Sequence, residues 1–185
     1  MTRTRRLGRL AATTLFFFSL LPIPKTVHAG NTTCVGTMLD WYTSAVGESP
    51  CMTYQRLRQI CDPTYQVPSF RSNTPGDNCD TQLNSCCCNS ISWALSMLCM
   101  NCQQDVIGGS SNGIDAGVGA YQMYLTDGTM CSSTNQSLPT EIQAAVCNAG
   151  IKLDDFLYNL FWGDGACVYT FQTAQEDQVA NNNNT

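Results

Sequence analysis

Histidine is nearly missing from this sequence: its one copy is His28, close to the N-terminus. Positive charge is scarce too. Arg3, Arg5, Arg6, Arg9 and Lys25 crowd the start, which leaves Arg56, Arg58, Arg71 and Lys152 for everything after it. Beyond residue 30 no apolar run approaches the ~20 residues that a membrane-spanning helix needs. Each scarcity excludes something. Without a histidine in the main body, Ser-His-Asp and Cys-His catalysis have no general base, and the common histidine-containing zinc sites have no imidazole. Four basic residues against fourteen Asp and Glu give the region from Gly30 onward a formal charge of −10. Such a surface repels phosphate backbones and anionic lipid, so nucleic acid is not an expected partner.

The N-terminal residues read as an export signal. The basic cluster is followed by an apolar run from Leu10 to Leu21, then by Pro22, Pro24 and Val27-His28-Ala29. That is a charged n-region, a hydrophobic h-region and a small-x-small cleavage site. Residues 1–29 are therefore expected to be a signal peptide cut after Ala29, which would also remove the lone histidine. The remaining 156 residues make one domain of ordinary length. We expect a cysteine-rich helical extracellular domain over 30–172 and a disordered polar tail over 173–185, ending in Asn181–Asn184 and Thr185.

What the chain has in abundance is cysteine. All twelve lie after the signal: Cys34, Cys51, Cys61, Cys79, Cys86, Cys87, Cys88, Cys99, Cys102, Cys131, Cys147 and Cys167. An even number in an exported chain reads as six disulfides, with connectivity left open by spacing alone. Five of the twelve fall between Cys86 and Cys102, making this stretch the hub. Adjacent cysteines pair with distant partners because a vicinal bridge strains the peptide. On a helix, successive side chains diverge by about 100°, so Cys86, Cys87 and Cys88 would send crosslinks in three directions. Ile91, Leu95, Leu98 and Cys102 share one helical face, and Asn89 suits the N-cap. Cys99-x-x-Cys102 offers two readings: a redox dithiol or half a zinc site, or two structural cysteines with separate partners. The cysteine density favours the second. Consecutive cysteines also resemble those of secreted phospholipases A2, but Asn89 and Ser90 stand where that family places its catalytic histidine.

The rest reads as short helices between turns. Cys34–Val46 carries a stripe of Val35, Met38, Leu39, Tyr42 and Val46, stopped by Gly47 and Pro50. Cys51–Cys61 is a second helix, with Arg56 and Arg58 on a solvated face and Asp62-Pro63 ending it. Thr64–Asn78 is a loop with Pro68, Pro75 and Gly76. It reads first as an ordinary connector pinned by Cys79; it is also the chain's best candidate for a contact loop, with Phe70 and Arg71 its distinctive side chains. Gly108–Gly113 lacks the Lys-Ser/Thr of a phosphate-binding loop. Ile114, Val118, Tyr121 and Leu125 form a further face. Gly117 and Gly119 there signal either a close backbone approach or a helix that starts after Ile114. Leu138-Pro139-Thr140 opens another helix, capped by Gly150. Ile151–Trp162 reads as core, and its Asp154-Asp155 pair diverges too far to flank one scissile bond. Cys167–Phe171 has short-strand character. The fold class expected is all-α, about five or six short helices in one disulfide-crosslinked domain.

Three sequons, at Asn31, Asn135 and Asn183, invite N-glycosylation. The stretches Cys86-Cys87-Cys88-Asn89, Cys99-x-x-Cys102-Gln103, Gly113–Gly117, Gly119-Ala120-Tyr121, Leu138-Pro139, Ala145-Val146-Cys147 and Asp155–Tyr158, with Phe161-Trp162 and the asparagine tail, resemble a family. It comprises uncharacterised cysteine-rich secreted or single-span surface proteins of mushroom-forming fungi. The resemblance implies an extracellular region and brings no catalytic residue with it.

The functional expectation is an extracellular or cell-surface recognition or structural module. It would bind an unknown protein, glycan or lipid, with no catalysis, cofactor or metal. It is secreted, or at the cell surface if the chain belongs to a longer single-span protein. One alternative is a small-ligand or lipid carrier, with Phe156, Leu157, Leu160, Phe161 and Trp162 lining a cavity. A second is a histidine-free secreted enzyme, with Cys99 and Cys102 as candidate thiols.

Overall fold

A computed structural model of the chain describes residues 31–80, 84–104, 113–126, 130–132, 134, 137–154, 157, 176 and 179. The expected signal peptide, the strand at Cys167–Phe171, the sequons at Asn135 and Asn183 and all of the tail except Glu176 and Val179 lie outside them. The fold is all-α and crosslinked by disulfides. Among the described residues five helices follow in order: α1 (Asp40–Val46), α2 (Pro50–Gln59), α3 (Ser90–Gln104), α4 (Ala120–Tyr124) and α5 (Thr140–Asn148), with a 3-10 turn at Asn84–Cys86.

α3 is the axis. The Asn89 side chain accepts a hydrogen bond from the Ser92 amide at 2.8 Å, satisfying a first-turn donor as an N-cap should. No glycine or proline interrupts the fifteen residues that follow. Every residue from Ser90 to Gln103 is buried, so the helix is covered on all sides rather than along one stripe. α2 runs antiparallel to it. Ser49 caps α2 by accepting from the Met52 amide at 3.1 Å. Tyr54 and Leu57 are wholly buried.

Five disulfides hold this arrangement: Cys34–Cys102, Cys51–Cys99, Cys61–Cys86, Cys79–Cys87 and Cys88–Cys131. Each has one end between Cys86 and Cys102. The hub expected from the sequence is therefore present, and its triplet does send bonds to three separate partners. Two bridges clamp α2 at both ends, at Cys51–Cys99 with Cα atoms 4.4 Å apart and at Cys61–Cys86 with 6.0 Å. Cys34–Cys102 ties the N-terminal segment to the last turn of α3, where the Val35 amide also donates to the Cys102 carbonyl at 2.9 Å.

Several expectations need correction. The triplet is not on the helix. It spans the end of the 3-10 turn and the bend before Asn89, where the chain has freer directions than a helix allows. α1 starts at Asp40 rather than Cys34, because Cys34 is drawn to α3 and Val35 is left 64% exposed. α4 is only five residues long. Gly119 precedes it with φ +89° and no atom crowds its missing Cβ, so the glycine serves a left-handed entry to the helix rather than a close packing contact.

Candidate functional site

The loop between α2 and the triplet, the best candidate for a contact loop, is held from both α2 and α3. Four buried or partly buried side chains grip its backbone, among them Gln59, which donates to the Tyr65 carbonyl at 2.9 Å. Gln55 accepts from the Val67 amide at 3.0 Å. Gln103, on α3, accepts from the Phe70 amide at 2.7 Å and donates to the carbonyls of Pro68 at 2.9 Å and Asn31 at 2.7 Å. Gln104 donates to the Phe70 carbonyl. Further along, Gly76 crosses α3 so closely that a Cβ there would lie 3.0 Å from the Ser96 carbonyl oxygen and from Met100 Cβ. Cys79 then locks the loop to the triplet.

Asp77 is the loop's internal anchor. One of its carboxylate oxygens accepts from the Tyr54 and Tyr65 hydroxyls, both at 2.8 Å, and lies 3.4 Å from Arg58 Nη1. The other accepts from the Asn78 amide at 2.9 Å. Arg58 Nη1 also donates to Tyr54 Oη at 2.6 Å, and its guanidinium carbon sits 4.4 Å from the Tyr65 ring centroid. The arginine side chain is only 3% exposed. Burial raises Tyr54 and Tyr65 far above the ordinary phenol range, with the Asp77 charge adding to it. Burial alone would lower Arg58, but the surrounding Tyr54, Tyr124, Tyr65 and Asp77 outweigh it and hold the guanidinium charged.

This corrects the reading of Arg56 and Arg58 as a solvated face. Arg58 stands one turn after Tyr54, and the loop folds back over α2 with Asp77 and Tyr65 to enclose it. Arg56 is half-buried, paired with Glu48 at 3.0 Å and donating at 2.9 Å to the Ala149 carbonyl at the end of α5. It ties α2 to a helix C-terminus, where a cation is favoured. Neither arginine is an open anion site.

The outer side of the loop forms an open groove of about 260 Å³. Ser69, Arg71, Asn73, Asp77, Asn78 and Asp80 line it, beside Pro68, Phe70 and Pro75. Arg71 and Asn73 are exposed, and Arg71 has no ion-pair partner among the described residues. Phe70 is not a contact residue: it is 5% exposed and packs toward Tyr54, with ring centroids 6.4 Å apart. The groove therefore presents one cation, carboxylates and amides.

The sulfur-based candidates resolve differently. Cys99 and Cys102 each pair with a separate distant partner, so neither is a free thiol and the thiol version of the enzyme alternative loses its nucleophiles. The sulfurs of Cys79, Cys87 and Cys88 lie within 4.8 Å of one another, a spacing metal ligands could share. All three are consumed in disulfides, and a disulfide sulfur is not the thiolate a metal needs. Of the proposed carrier cavity, Leu157 is buried; Phe156, Leu160, Phe161 and Trp162 lie outside the described residues. Asn31 is exposed, and its Nδ2 is 3.4 Å from Ser69 Oγ on the groove.

Among the described residues no helix is long and apolar enough to cross a membrane. Compared with family models, curated proteins and solved structures, the chain matches none.

Proposed function

We propose that this protein is an extracellular recognition module whose contact surface is the groove on the loop between α2 and the cysteine triplet. The observation that carries the reading is a contrast within one segment. Arg71 and Asn73 are exposed, while the backbone on either side is clamped by Gln55, Gln103, Asp77 and a disulfide. A loop ordered before binding loses little conformational entropy when a ligand arrives, and rigid scaffolds that present such loops commonly use them for recognition. The favoured partner is a glycan or another hydroxyl-rich ligand, matched to the amides, carboxylates and single guanidinium of the groove. Five disulfides fit an oxidising compartment, and kinship with cysteine-rich fungal surface proteins belongs to the same proposal.

The test is to screen the oxidised domain, produced without N-linked glycans, against glycan and protein arrays beside an R71A/N73A variant. Both positions are exposed, so the variant should fold. We expect a partner that the variant binds about tenfold more weakly or worse, the effect of about 1.4 kcal/mol. No partner, or one bound equally by both proteins, would overturn the proposal.

A further inference from the structure

We infer that Asn31 carries an N-linked glycan whose first sugars lie along the groove of the 64–80 loop, so that the chain supplies the groove's resident ligand and masks it from outside partners. The attachment rests on the sequon and the packing on geometry; only the masking rests on the recognition reading.

Three observations converge. Asn31-Thr32-Thr33 is a complete sequon, with Asn31 and Thr33 exposed. Its position is rigidly set: the Asn31 amide donates to the Val67 carbonyl at 3.1 Å, Gln103 bridges the carbonyls of Asn31 and Pro68, and Ser49 Oγ donates to the Thr32 carbonyl. The acceptor nitrogen also points at the groove, since Nδ2 is 3.4 Å from Ser69 Oγ. A contact that long is weak, so substituting the nitrogen forfeits little. The groove is open, with a volume of about 260 Å³. That is room for a sugar ring with its hydroxyls. Asn73, Asn78 and Asp80 offer the donors and acceptors a sugar uses, and Arg71 offers further donors.

In the modification, Nδ2 loses a proton and bonds to the anomeric carbon of a lipid-diphosphate-linked oligosaccharide. The lipid diphosphate leaves with the electrons of the broken C–O bond, and the proton passes to solvent. No net oxidation occurs.

The experiment compares the wild-type chain, Thr33→Ala and Thr33→Ser, each secreted from a eukaryotic host. Thr33→Ala destroys the sequon but keeps Asn31 and its contact to Ser69; Thr33→Ser keeps the sequon. Peptide mass spectrometry should find a glycan on Asn31 in the wild type and in Thr33→Ser, and none in Thr33→Ala. Amide hydrogen exchange over residues 69–80 should be slower in the glycosylated forms by on the order of three- to tenfold, as one or two added hydrogen bonds predict, with α5 unchanged. Trimming the glycan to its first sugar should keep part of that protection. An unmodified Asn31 overturns the inference, and so does an occupied Asn31 with identical exchange in all forms. If the array screen finds a partner, Thr33→Ala should bind it more tightly than the wild type; equal binding removes the masking while the exchange data still decide the packing.

Discussion

Arg58 and Asp77, nineteen residues apart, meet at 3.4 Å beneath the loop that separates them, with Tyr54 and Tyr65 bonded to the same carboxylate oxygen. Removing one partner of such a buried pair strands the other charge, at a cost of about 3–5 kcal/mol. We expect Arg58→Ala and Asp77→Ala each to lose about that much in denaturant unfolding of the oxidised protein. The double variant should lose far less than the two together, because contacting residues are not additive. Additive losses would show that the two groups act independently.

Gln103 holds the inner edge of the loop through three hydrogen bonds to backbone. Gln103→Leu preserves bulk and deletes all three, leaving buried polar groups unsatisfied at ~1–3 kcal/mol each. The expected result is faster exchange of the Phe70 amide by at least tenfold, with amides near the middle of α3 still protected. Unchanged exchange at Phe70 would mean that the loop is ordered by its disulfide alone.

Burial raises Tyr42, Tyr54, Tyr65 and Tyr124 well above the ordinary phenol range. Unfolded, each would ionise near pH ~10. Above that pH the unfolded state therefore binds fewer protons than the folded one, and stability falls as pH rises. The contribution is fully present below pH ~10 and is lost on the way up to the folded-state values. In a rapid pH jump, phenolate absorbance from these four should appear together with the loss of helical circular dichroism. Phenolate formation by every tyrosine near pH 10, with the helical signal intact, would contradict their burial.

Cys147 is exposed, and ten other cysteines are already paired. The remaining one, Cys167, lies outside the described residues. A disulfide map of the secreted protein should return the five observed bridges and Cys147–Cys167, with no thiol open to alkylation. A labelled Cys147 would leave the chain with five bridges. Chain entropy also ranks the crosslinks: the loop closed by Cys34–Cys102 spans 68 residues and that of Cys79–Cys87 only 8. These correspond to about 4.4 and about 2.5 kcal/mol of unfolded-state entropy. Serine pairs replacing the first bridge should therefore cost more than pairs replacing the second, and the reverse order in thermal unfolding would assign the stability to native contacts instead.

Parts of the site were legible early because local chemistry set them. Asn89 before an uninterrupted apolar run marks a capped helix whatever surrounds it, and the proline-rich stretch after Asp62 marks a loop. Phe70 and Arg71 show where that legibility ends. Adjacent in sequence, they were paired as contact residues, yet one is core and the other solvent-facing. The difference lies in where α3 passes beneath them. Gln103 gives no local signal of its role and Asp77 only that of a turn former, because glutamine and aspartate are ordinary surface residues until a fold encloses them.

From residue order alone come the helical class, the cysteine-rich character and the role of the triplet as hub, since these depend on composition, spacing and short-range geometry. Only the folded chain decides that Arg58 is buried, that α3 is covered on every side and that Asn31 faces the groove. Those outcomes require segments tens of residues apart to meet. Burial is a property of the neighbours that arrive, and no single stretch of sequence carries it.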